Sequence, residues 1–97
     1  MATYLSVMLQ TYSILVIGKV QGVFYRQSTI EKAKELGITG MVKNLPDGNV
    51  QIMATGTSDQ LDELVSWCKQ GPPRAVVTSV KVEKLTAQTY QNFTIQR

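Results

Sequence analysis

Residues 39–55 read TGMVKNLPDGNVQIMAT. Two short runs flank Leu45-Pro46-Asp47-Gly48, where proline presets its own φ and glycine accepts a positive one, so the tetrapeptide carries turn chemistry. Thr39–Asn44 and Asn49–Thr55 then read as the two strands of a β-hairpin. In the second, Val50, Ile52 and Ala54 alternate with Gln51, Met53 and Thr55.

A helical pattern stands on either side of the hairpin. Gln27–Leu36 (QSTIEKAKEL) places Ile30, Ala33 and Leu36 along one face, and Gly37 occupies the position of a left-handed C-terminal stop. Thr57-Ser58-Asp59-Gln60 has the chemistry of a capping box. Leu61, Leu64, Val65 and Cys68 follow at the spacing of an amphipathic stripe, until Gly71-Pro72-Pro73 ends it. Trp67 flanks that stripe as a core-edge residue.

Strands lie outside the helices. Tyr12–Val20 (YSILVIGKV) is β-branched and nearly continuously apolar, as a central strand is. Ala75–Glu83 alternates with Val76, Thr78, Val80 and Val82 on one face, and Phe93 and Ile95 mark a last short strand. The order β-α-β-β-α-β predicts an α+β fold, the ferredoxin-like split βαβ sandwich. Two helices pack on one face of an antiparallel sheet, and an extra short C-terminal strand is added.

The 97 residues fit one domain, 1–97, in which residues 1–10 read as an N-terminal extension. At 43% hydrophobic and 18% charged, the composition is that of a globular chain. The net charge of +3 favours small anionic ligands and is too scattered to argue for nucleic acid. Histidine is absent, which excludes a histidine-based triad, histidine metal ligation and a histidine proton shuttle. Cys68 is the one cysteine, so no internal disulfide forms, which suits a reducing cytoplasm. The opening MATYLSVMLQTYS lacks a basic n-region and is interrupted by Thr3, Ser6 and Gln10, so a signal peptide is not expected. No apolar run reaches the ~20 residues of a membrane span.

The chemistry concentrates in GKVQGVFYR, residues 18–26, which joins the central strand to a helix start. Such a junction offers free backbone N–H groups and the positive end of a helix dipole. Gly22 lets the backbone curl close to a ligand, and Arg26 presents a planar fork that matches two phosphate oxygens. The residues alone leave two readings open: a phosphate cradle, or a plain tight turn with a solvated arginine. The loop is neither a Walker A motif nor a dinucleotide fingerprint.

GKVQGVFYR, followed about 20 residues later by KNLPDGNV, closely resembles the acylphosphatase family, whose members share a VQGVxFR-like loop and an xNxxDGxV-like hairpin. AKELGITGMVKN, WCKQGPPRAVVTSVKVE and the final F-x-I are similar to family segments as well, so the resemblance runs from about Tyr12 to the C-terminus. Two positions depart from the pattern. Tyr25 stands where the family usually has phenylalanine, and Met41 where an aromatic is common.

The resemblance implies hydrolysis of the carboxyl–phosphate bond of acyl phosphates to carboxylate and inorganic phosphate, with no cofactor and no metal. It assigns phosphate binding to Arg26 and to the backbone N–H groups of Gln21, Gly22, Val23, Phe24, Tyr25 and Arg26. It gives Asn44 the attacking water, although on its own an asparagine at a strand end reads as a turn starter. Asp47 and Gly48 serve turn geometry, Lys43 is a solvated strand-edge residue, and Ser28 and Thr29 are helix-start residues. Cys68, on the apolar stripe, reads as a buried inert thiol.

The expected partners are a small-molecule acyl phosphate and inorganic phosphate. Neither nucleic acid nor membrane is expected, and the chain reads as a monomer. The competing readings are a non-catalytic anion-binding or nucleic-acid-binding module of the same fold. The strand NVQIMAT lacks the aromatics by which an RRM stacks bases, and a metallochaperone would need a CxxC pair that is absent.

Overall fold

The computed structural model describes residues 9–97. The elements follow as β1 (Gln10–Lys19), α1 (Tyr25–Leu36), β2 (Thr39–Asn44), β3 (Val50–Gly56), α2 (Ser58–Cys68), β4 (Val76–Leu85) and β5 (Phe93–Gln96). The strands form one five-stranded sheet in the order β4-β1-β3-β2-β5. β1 is antiparallel to β3 and β4, and β2 is antiparallel to β3. β5 lies parallel to β2, so the sheet is mixed at that edge. This is the ferredoxin-like α+β arrangement that the element order predicts. The reading of residues 1–10 as an extension lies outside the described residues except at Leu9 and Gln10, and Gln10 already pairs with Gly56.

Period-two alternation decides which sheet face meets the helices. Tyr12, Ile14 and Val16 of β1, Val42 of β2, and Val50, Ile52 and Ala54 of β3 are buried in one cluster with Leu61, Leu64 and Cys68 of α2. Each fully buried aliphatic side chain there contributes roughly 1.5–3 kcal/mol. α2 begins with the expected capping box. The Thr57 N–H donates to Gln60 Oε1 at 2.9 Å, and the Gln60 N–H donates to Thr57 Oγ1 at 3.3 Å. α1 ends at Gly37, whose φ of 77° is the left-handed stop read from the sequence.

Two local readings shift. α1 starts at Tyr25, not Gln27, and its buried stripe is Tyr25, Thr29 and Ala33. Ile30 and Leu36 only flank the core. Thr29 tolerates burial because its hydroxyl donates to the Tyr25 carbonyl at 2.7 Å. In β4 a bulge sets Ser79 opposite Ile17 but Val77 opposite Gly18. Thr78 is the extra residue, and its hydroxyl donates to the Ile17 carbonyl at 3.0 Å. The extra residue reverses the alternation. Val77, not Val76, therefore packs on the core with Val80, and Val76 is left 58% exposed.

The connection from β4 to β5 must pass from one sheet edge to the other. Thr11 and Thr55, cross-strand partners on the face opposite Tyr12 and Ala54, hold it there. The Gln88 N–H donates to Thr11 Oγ1 at 2.7 Å, and Thr55 Oγ1 donates to the Gln88 carbonyl at 2.8 Å. This crossing brings β5, and with it Ile95, beside the end of β2.

Candidate active site

The segment between β1 and α1 is shaped by alternating backbone handedness. Gly22 has φ +73° and Phe24 has φ 63°, ψ 23°, while Val23 between them keeps a negative φ. Alternation of this kind turns successive N–H groups toward a common point and forms an anion nest. A Cβ at residue 22 would meet nothing within 4 Å, so the backbone angle, not space, calls for glycine there. Phe24 has no such freedom, and its left-handed conformation costs on the order of 1 kcal/mol.

The nest runs directly into α1. The first N–H groups of a helix have no intrahelical partner. Phe24, at the N-cap, supplies no side-chain hydrogen bond to them, and the first turn holds no acidic residue. These donors and the positive end of the helix dipole remain available to an anion. Arg26 lies in that first turn, is half-buried, and makes no salt bridge among the described residues.

Asn44 approaches from the other side. It ends β2 opposite Val50, two residues after the buried Val42, and so shares the helix-facing side of the sheet. Its Oδ1 is buried and has no hydrogen-bond partner. Buried amide oxygens are ordinarily hydrogen-bonded, to protein or to ordered water. A cavity of about 270 Å³ joins the two halves. Gly22, Phe24, Arg26 and Gln27 line it from the loop and helix, and Asn44 and Ile95 from β2 and β5, with Val20 and Tyr25 beneath.

The sequence-predicted residues do not all face this cavity. Arg26, Asn44, Gly22, Phe24 and Tyr25 line it, whereas Gln21 and Val23 do not. The Tyr25 side chain points into the core: it is 1% exposed, its ring lies 5.5 Å from that of Trp67, and its hydroxyl donates to the Cys68 carbonyl at 2.8 Å. Val23 packs partly on the core. The Gln21 side chain turns away, and its Nε2 donates to the carbonyls of Leu45 and Asn49, at 2.8 Å each. Lys43, Ser28 and Thr29 lie outside the cavity lining.

Three contributions escape the sequence reading. Gln21 bolts the loop to the β2–β3 turn, Gln27 joins the lining, and Ile95 forms part of the wall. Gln27 was within reach, because it follows Arg26 in the same helical turn. The other two depend on tertiary contacts that no spacing announces. Cys68 is fully buried, and burial pushes its thiol up to about 12, with the Tyr25 hydroxyl pulling weakly the other way. Burial also raises the Tyr25 phenol, and the nearby Cys68 adds to the effect. No helix among the described residues is long and apolar enough to cross a membrane.

The comparisons with known proteins agree with this geometry. The acylphosphatase family model matches residues 12–95. The chain is 55% identical over 83 residues to an acylphosphatase of Marinobacter nauticus, covering 86% of this chain and 88% of that protein. Its structure superposes on an acylphosphatase of Coxiella burnetii with a TM-score of 0.90 at 40% identity, covering 94% of this chain and 96% of the other. For the acylphosphatase of Bacillus subtilis the TM-score is 0.88 at 35% identity, with 93% and 100% covered. A family match over nearly the whole chain, and a strand-to-helix cradle facing the end of β2, lead to one conclusion: the chain belongs to the acylphosphatase family and is a hydrolase of acyl phosphates.

Proposed function

We propose that hydrolysis runs between Arg26 and Asn44, with the substrate's phosphoryl group in the nest. Arg26 and the backbone N–H groups of residues 21–26 hold the phosphoryl oxygens and tighten as charge redistributes in the transition state. The Asn44 amide accepts a hydrogen bond from water and aims its lone pair at phosphorus. The water oxygen bonds to phosphorus, and the phosphorus–acyl oxygen bond breaks. The carboxylate departs with the electron pair, and the water proton passes to a phosphoryl oxygen. A phosphoryl oxygen of the substrate thus serves as the base for the water, in keeping with a chain that has no histidine.

The observation that carries this reading is that Arg26 and Asn44, 18 positions apart in sequence, line the same cavity at the start of α1. The expected partner is a small acyl phosphate, and a monomer is the simplest form that presents the site. The absence of aromatics from β3 argues against nucleic acid as a partner. A cytoplasmic setting suits the lone, buried Cys68.

The test is the disappearance of benzoyl phosphate, with wild type and Asn44→Ala side by side in excess chelator. Fast wild-type hydrolysis that is lost in the variant supports metal-independent attack by a water held on Asn44. Wild-type protein that binds phosphate but releases no benzoate would instead be an anion-binding module of the same fold.

A further inference from the structure

Phe24 runs against local preference in three ways. It holds a left-handed backbone that bulky residues avoid, at φ 63° and ψ 23°. It occupies a helix N-cap, where Ser, Thr, Asp or Asn would supply the oxygen that phenylalanine lacks. Its ring is 74% exposed and gains little from burial in the fold. Conflicts of this kind, gathered at one residue beside a cavity, point to use of the side chain in function.

The cavity shows what the ring faces. Its volume is about 270 Å³, against roughly 30 Å³ per water in the liquid. There is room for part of an acyl group beside a phosphoryl group. In-line displacement sends the leaving acyl group away from the attacking water. Asn44 and Phe24 both line the cavity, Asn44 half-buried and Phe24 largely exposed to solvent. An acyl group departing from phosphorus therefore emerges past the Phe24 ring.

We propose that Phe24 is a specificity-determining residue, whose ring forms the platform for the acyl group and favours aromatic or extended apolar acyl phosphates over acetyl phosphate. The proposal rests on the catalytic reading above. A planar acyl group stacks on the ring or meets its edge, and a methyl group covers little of it.

The test measures kcat/KM for benzoyl phosphate and acetyl phosphate in the full chain, for wild type, Phe24→Tyr, Phe24→Ala and Phe24→Gly. The benzoyl-to-acetyl ratio is expected to fall about five- to tenfold in the alanine and glycine variants and to be kept by tyrosine. Glycine removes the ring while relieving the backbone, so a matching fall in both variants assigns the effect to the ring. A ratio unmoved in all variants, with both substrates still turned over, overturns the role of Phe24 alone. A ratio restored by glycine but not by tyrosine also overturns it, because loop geometry is then the cause. Failure of wild type to hydrolyse either substrate overturns the catalytic reading and this proposal with it.

Discussion

The Gln21 side-chain amide donates to the Leu45 carbonyl at 2.8 Å, and its second hydrogen reaches the Asn49 carbonyl at the same distance. One side chain thus spans the gap between the β1–α1 loop and the β2–β3 turn. Asp47 braces the far side, accepting from the Asn49 N–H and from Asn49 Nδ2, at 3.1 Å each. Asn44 immediately precedes this turn, so Gln21 sets where the proposed water site stands relative to Arg26.

Gln21→Ala removes two half-buried neutral hydrogen bonds and is expected to cost about 1–2 kcal/mol of stability, read from urea unfolding. It should also lower kcat by about tenfold, because misplacing reacting groups by an ångström is expensive. The same change made in an Asn44→Ala background should lower kcat much less. Equal losses in both backgrounds would show that Gln21 acts independently of Asn44.

Asn44→Ala separates activity from stability. The change removes a buried acceptor that has no protein hydrogen-bond partner among the described residues. Turnover should fall by about 10²-fold or more, while the folded state keeps its stability or gains up to about 1 kcal/mol. Thermal melts with and without inorganic phosphate check this, and phosphate protection should survive. A marked drop in melting temperature would make Asn44 a structural residue.

Arg26 is half-buried and free of carboxylate partners among the described residues, so its guanidinium is committed to no structural ion pair. Arg26→Ala should lower kcat/KM by about 10²- to 10³-fold and abolish phosphate protection against heat. Arg26→Lys restores the charge but not the fork, and should stay about tenfold or more below wild type. Steady-state kinetics together with phosphate-dependent melts read both effects.

Alkaline stability depends on the contact between Tyr25 and the end of α2. Burial raises the Cys68 thiol from 9.0 to about 12, and raises the Tyr25 phenol above 10.0. The fold favours the protonated form of each group. The stability they contribute is fully present below pH 9 and is lost as the pH rises from about 9 toward 12. Urea midpoints should fall over that window, and the fall should be shallower in Cys68→Ala. An unchanged slope in that variant would remove Cys68 as the cause.

Several elements were legible because their causes are local. Thr39–Asn44 matches β2 to the residue, and Leu45–Gly48 forms the expected turn, closed by the Gly48 N–H on the Leu45 carbonyl at 3.1 Å. The Thr57–Gln60 box and the Gly37 stop involve residues within a few positions of one another. α1 starts at Tyr25, two residues before the Gln27 that the sequence pattern marks, because Tyr25 and Arg26 read locally as the end of the glycine loop. Tyr25 joins the helix because α2 holds its ring and hydroxyl.

Residues near in sequence determined the strand and helix types, the turn, the caps and the strand-to-helix loop, since backbone angles and side-chain periodicity act over a few positions. Tertiary structure alone decided which donors and walls make the site. The parallel pairing of β5 with β2 delivers Ile95, and the bulge at Thr78 turns Val76 outward. Gln21 reaches across 24 and 28 positions to bolt loop to hairpin. Asn44 and Arg26 come to line one cavity only in the folded chain. Each of these rests on groups far apart in sequence, and their meeting is set by how the sheet and helices pack.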